Sequence, residues 1–259
     1  GDRATVLPMA QDVISVADAV VDFTNSDFVF VLFPRTIKLG SPDLGMANWR
    51  VESTEGPVKN LIGGAEYFYD NGFDLWSLWI HEYGHPMGLA GHSPRSNIHI
   101  MDNQNGSSVV LNVWDTFFSG WMGSDELYCM PFEEKSKDIT LIPLERLQRG
   151  PRGVIVPISD TNSLVIESHR AEGWGRRIGA QTNFGVAIYW IDTTKDTDRF
   201  AGGSSYLDSS SGDKWSDYIV PGGSRRPFNL LTIGDKVSYR GVTVEFIATG
   251  NYDTVRITK

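Results

Sequence analysis

Only one cysteine, Cys129, occurs among the 259 residues. That excludes an internal disulfide framework and is neutral about export. No run is long and apolar enough to span a bilayer, and the start Gly1-Asp2-Arg3 has no signal-peptide character, so a secreted protein would be present here in processed or trimmed form. Cationic side chains are in deficit: 23 Lys and Arg stand against 32 Asp and Glu, for a formal net charge of -9 and a pI near 5.0. Nucleic acid and anionic membrane both select basic surfaces, so neither is expected as the main partner, and no phosphate-binding glycine loop occurs. What is present suffices for folding. With 41% hydrophobic and 12% aromatic residues, the chain can fill the core of one large domain or two modest ones.

Histidine is scarce too, five in all, yet four fall between His81 and His99. Two belong to the run His81-Glu82-Tyr83-Gly84-His85, followed by Gly88 and His92. Spaced i, i+4 on a helix, His81 and His85 share one face a single turn apart, close enough for both imidazoles to reach one zinc ion. Glu82 then lies beside the metal. A carboxylate there takes a proton from zinc-bound water and later passes it to the leaving amine, as general base and then acid. Catalytic zinc has three protein ligands and one open position, and His92 is the candidate third ligand. Gly88 can adopt positive φ at the helix end and reverse the chain towards the ion. A structural zinc site would require four side chains rich in cysteine, against which the single Cys129 stands.

Upstream, Phe73, Trp76, Leu78, Trp79 and Ile80 give an apolar surface, while Asp70, Asn71 and Asp74 offer caps. The active-site helix is therefore expected over Asp74 to Met87. Pro86 is discordant: it has no N-H, its ring crowds the Glu82 carbonyl, and it biases His85 away from helical angles, which predicts a kink or an early end.

Texture along the chain divides it in two. Up to the charged stretch Glu133 to Asp138 it is mixed: a helix is expected over Val13 to Val21, and strands over Phe28 to Phe33, Asn48 to Ser53 and Val58 to Tyr69. Leu111 to Met122 reads as an aromatic-rich helix. Beyond the stretch come short β-prone segments at Val154 to Ile158, Leu164 to Glu167, Val186 to Ile191, Val242 to Ala248 and Thr254 to Thr258, expected to form an antiparallel β-sandwich. The expected fold is thus α+β, with a catalytic domain over residues 1–135 and a β-rich domain over 136–259. His169 reads as a satisfied structural histidine. The loop Gly202 to Asp213 is rich in Gly, Ser and Asp; its acids are candidate calcium ligands, with a solvated loop the plainer reading.

The histidine run, together with Asp18-Ala19-Val20-Val21-Asp22-Phe23 leading into Phe28 to Phe33, Leu164 to Arg170, and Gly185 to Asp192, resembles the secreted bacterial metallopeptidases of the immune inhibitor A group, with the algal gametolysins as a second relative. That resemblance covers most of the chain, and its specific part is the zinc motif. It implies a metzincin-like zinc endopeptidase, secreted, acting on protein or peptide. It also implies a methionine-bearing turn beneath the metal, here Met101 in Ile98-His99-Ile100-Met101-Asp102. An edge strand before the active-site helix would pair with the substrate, which points to Gly63, Gly64 and Ala65. One departure stands out: the family's third ligand lies three residues after the glycine, a position filled here by Gly91, with His92 one further on. Either His92 binds from a reshaped turn or another group, such as Asp102, completes the site. His99 and Tyr128 are candidates for stabilising the oxyanion. A zinc hydrolase of a non-peptide bond, and an inactive binding or adhesion module, are the alternatives of other classes.

Overall fold

The computed structural model describes residues 3–32, 51–58, 60–64, 75–89, 98–102, 108–175, 185–194, 216–219 and 230–259. The chain is α+β, mostly sheet, and among the described residues no sheet closes into a barrel. None of the described helices is long and apolar enough to cross a membrane. Two compact units are formed, Gly1–Gly88 with Phe200–Gly203, and Leu89–Arg199 with Ser204–Lys259. The compact units thus part at Gly88, whereas the change of sequence texture lies at Glu133 to Asp138, inside the second unit.

The first unit is built on helix α1 (Arg3–Ala17), strands β1 (Val29–Leu32), β2 (Val51–Ser53), β3 (Gly56–Val58) and β4 (Leu61–Gly64), and helix α2 (Leu75–Gly84). Ala10 and Ile14 of α1 pack with Phe23, Val51, Val58 and Leu61 in one small core. Each of these side chains larger than alanine contributes roughly 1.5–3 kcal/mol when fully buried. The amide of Gln11 fixes the helix to the β2–β3 hairpin, donating to the Glu52 carbonyl at 2.7 Å and accepting from the Glu52 N-H at 2.8 Å. Helix α1 begins and ends earlier than the Val13 to Val21 expected, and it contains Pro8, which offers no N-H to the helix ladder. Strands β1 and β4 pair in parallel, Val29 with Leu61 through Leu32 with Gly64.

The second unit holds helix α3 (Val113–Phe118) and strands β5 (Leu127–Cys129), β6 (Ser136–Leu141), β7 (Gly153–Pro157), β8 (Asn162–His169), β9 (Gly185–Asp192), β10 (Ser216–Tyr218), β11 (Lys236–Tyr239), β12 (Val242–Ala248) and β13 (Asp253–Thr258). A five-stranded sheet runs β10-β9-β8-β7-β5, and a four-stranded sheet runs β11-β12-β13-β6. All neighbours are antiparallel except β5 and β7. One core joins the sheets: Val154, Val156, Leu164, Ile166, Val186 and Ile188 from the first meet Ile139, Leu141, Val244, Phe246, Val255 and Ile257 from the second. The opposite face of the five-stranded sheet is also covered, with Ile155, Val165, Ala187 and Tyr189 packed under Val113 of α3, Ile98 and Leu144. A layer buried on both sides needs apolar residues at successive positions, which is why β7, β8 and β9 read as continuous hydrophobic runs. Strands β12 and β13 face solvent on one side and alternate accordingly.

Candidate metal centre

Helix α2 buries one stripe. Ser77, Leu78, His81, Gly84 and His85 are buried, at the three- and four-residue spacing of a single helix face. Its other flank is tied down by aromatic pairs, Trp79 with Phe30 at 5.0 Å and Tyr83 with Phe28 at 4.2 Å between ring centroids. Those contacts lie along β1 and the residue before it, and α2 also packs on β4. The helix ends at Gly84, three residues short of the expected Met87, and residues 85–88 form a turn. Pro86 accounts for the early end, since it offers no N-H to the ladder and disfavours helical angles at His85. Gly88 does adopt positive φ, 86°, with its N-H bonded to the His85 carbonyl at 3.0 Å.

That turn keeps His85 on the face of His81. The two Nε2 atoms approach to 3.2 Å, with ring planes at 89° and centroids 4.8 Å apart. Neutral imidazoles at this distance share either one proton or one ion. Two Zn-N bonds of about 2.05 Å meeting at the tetrahedral angle hold their nitrogens about 3.3 Å apart, so the spacing of the pair matches that of two ligands on one zinc ion. Glu82 follows His81 on the helix and is half-buried. Among the described residues no three His, Cys, Asp or Glu side chains are placed to share an ion. His92, the expected third ligand, lies outside the described residues, as do Ala65 and the whole loop Gly202 to Asp213. Gly63 and Gly64 close β4, opposite Val31 and Leu32 of β1.

Met101 is fully buried in a turn of the second unit, where the Asp102 N-H bonds the His99 carbonyl at 3.1 Å and the Ile100 N-H bonds the Val110 carbonyl at 2.9 Å. Asp102, the alternative ligand, is buried beside it. His99 is buried as well, and its burial lowers its pKa, partly offset by the charges of Asp102 and Glu167. Tyr128, on β5, donates its hydroxyl to Glu134.

His169, read from the sequence as a satisfied structural histidine, is one in the second unit, and the partners that reading did not name form a buried polar cluster around it. His169 is fully buried, with Nδ1 at 2.8 Å from Glu145 and Nε2 at 3.0 Å from Glu167. Burial alone would strip its proton, but the two carboxylates outweigh burial and raise its pKa to about 10. Glu167 is held below the ordinary carboxylate range: burial pushes it up, and the hydrogen bond and charge of His169 pull it further down. Both carboxylates have further donors. Ser108 Oγ and the Arg170 N-H bond Glu145 at 3.1 and 2.9 Å, while the Val113 N-H and the Tyr189 hydroxyl bond Glu167 at 2.8 and 2.9 Å. The two carboxylates occupy both ring nitrogens of His169, and through the Val113 N-H the cluster staples the start of α3 to the sheet. Asp115, N-capped by Asn112 at 2.7 Å, is buried near Glu167; burial first, and that charge second, push its pKa well up. The signal for this cluster was the alternation of Glu167 and His169 on β8, two same-face ionisable residues directly after the apolar run Leu164 to Ile166.

Comparison with family models, with curated proteins and with solved structures finds no match to this chain.

Proposed function

We propose that the chain is an exported zinc-dependent endopeptidase of metzincin-like type, with His81, His85 and His92 as metal ligands and Glu82 as the proton carrier. The observation that carries this reading is the approach of the His81 and His85 Nε2 atoms to 3.2 Å on the buried face of α2, with Glu82 next in the chain. When bound, the ion supplies Lewis-acid polarisation and acidifies water towards neutrality. The chain's own residues do the rest. Glu82 takes a proton from the attacking water as its oxygen bonds the carbonyl carbon, and returns it to the amine nitrogen as the C-N bond breaks. The edge of β4 that is not paired with β1 would lay an extended substrate beside α2 through main-chain hydrogen bonds, with Gly63 and Gly64 allowing close approach.

The test is hydrolysis of casein and unrelated peptides beside measured zinc content. Expected are one zinc per chain, cleavage abolished by chelator, and a Glu82→Gln variant that keeps its zinc but loses activity by at least about a hundredfold, the lower end of what a general base contributes. Full activity of Glu82→Gln, or a wild-type chain that binds no zinc, overturns the proposal.

A further inference from the structure

Strand β6 is an edge of the four-stranded sheet, paired on one side only by β13 among the described residues. The direction of its main-chain groups follows from the ladder. Antiparallel pairs alternate between hydrogen-bonded and non-bonded, and the Lys259 N-H bonds the Lys135 carbonyl at 2.9 Å, so Lys137, Ile139 and Leu141 bond towards β13 while Ser136, Asp138 and Thr140 direct theirs outward. Ile142, next in the outward series, shows this directly, for its N-H bonds the Pro151 carbonyl at 2.7 Å. There the outer pairing stops, since Pro151 has no N-H to continue it.

A groove of about 530 Å³ begins at that point, lined by residues 137–140 with Tyr128, Arg149 and Tyr252 among its walls. Side chains of a strand alternate between faces, so a groove touching four consecutive residues runs along the strand's edge, over about 13 Å. A second hollow shares Tyr252 and extends past Arg146 and Asn251. The charges at the groove are unequally committed. Lys137 pairs with Glu134 at 3.5 Å, and Asp138 is neutralised by two bonds of 2.8 Å from Arg256. Arg149 is exposed and has no ion pair among the described residues.

We propose that this groove binds an extended segment of an acidic polypeptide, added to β6 as a further strand, with the outward groups of Asp138 and Thr140 making the ladder and Arg149 receiving a carboxylate. Tyr128 and Tyr252 supply the apolar walls between which alternate side chains of the added strand sit. This site is independent of the zinc reading, and its test avoids catalysis altogether.

Fluorescence anisotropy of labelled hexapeptides, Val-Glu alternating and Val-Lys alternating, is measured on the full chain carrying Glu82→Gln. The Val-Glu peptide is expected to bind and the Val-Lys peptide not. Arg149→Glu should weaken binding about tenfold or more. Thr140→Pro removes one outward N-H and leaves the β13 ladder intact, so it should abolish binding with an unchanged melting temperature, whereas Thr140→Val, which keeps the N-H, should not. Equal binding of the two peptides, or undiminished binding in a folded Thr140→Pro variant, overturns the proposal. So does an oligogalacturonate that binds more tightly than the Val-Glu peptide and ignores Thr140→Pro, which would make the groove a site for acidic glycan.

Discussion

His169 holds a positive charge in the middle of the second unit because two carboxylates compensate the loss of water on both sides of one ring. Removing the ring strands both carboxylates in the core, and breaking a buried pair in this way costs about 3–5 kcal/mol. His169→Ala should therefore lower stability by about that amount in guanidinium titrations, with zinc content unchanged. His92→Ala should do the reverse, lowering zinc affinity strongly with little loss of fold. The pH dependence follows from the direction of the shift. The folded pKa of about 10 lies above the unfolded value of 6.5, so this stabilisation is complete below pH 6.5 and declines as pH rises through 10. Wild type should lose stability between pH 7 and 10, and His169→Gln should be less stable at pH 7 with a flatter profile. Asp115 behaves oppositely to a normal carboxylate. Its folded pKa is raised, so the neutral form is favoured below its ordinary value of 3.8 and that advantage is lost as pH rises. Asp115→Asn should be more stabilising at pH 8 than at pH 4.

Helix α2 shows how far local chemistry reaches and where it stops. Its existence, its buried stripe, its termination near Pro86 and the positive φ of Gly88 all follow from residue types within a turn or two. Gly88→Val should cost about 1 kcal/mol from the backbone alone and weaken zinc binding further, read by thermal melts and metal titration. The position of the proposed third ligand, His92, is not a local property. It depends on the path of residues between Gly88 and Ile98, which no periodicity or cap in that stretch dictates. Strands β7, β8 and β9 were legible as hydrophobic runs for the same local reason. Strands β5, β6 and β11 were not: they are short or charged, sit at sheet edges, and are held by their partners rather than by their own propensities. Helix α3 was readable as aromatic-rich, but its close approach to β7 depends on Gly153, where a Cβ would lie 2.5 Å from the methyls of Val113. Gly153→Ala should disturb that contact and destabilise the second unit by about 1–3 kcal/mol, as overpacking does.

At the scale of the molecule, two compact units carry different chemistry. The His81–His85 pair belongs to the first and the charged core to the second, so on the proposed zinc reading ligand effects should be local in a melting experiment. Zinc at a hundred times its Kd should stabilise the cooperative unit containing α2 by about 2.7 kcal/mol, and His81→Ala should remove the effect. A shift of the same size in His81→Ala would place the ion elsewhere. Texture in the sequence located the mixed α+β character and the two-sheet core, because burial on one or both faces writes itself into alternation. It did not locate the limits of the compact units, since Glu133 to Asp138 is charged for a different reason: it leads into and forms part of an exposed edge strand. The proton kept by His169 also changes how the whole chain moves in an electric field. With it retained, the folded protein migrates as if one elementary charge nearer neutrality than its formal -9, and unfolding at neutral pH releases most of that proton and increases the mobility per unit drag.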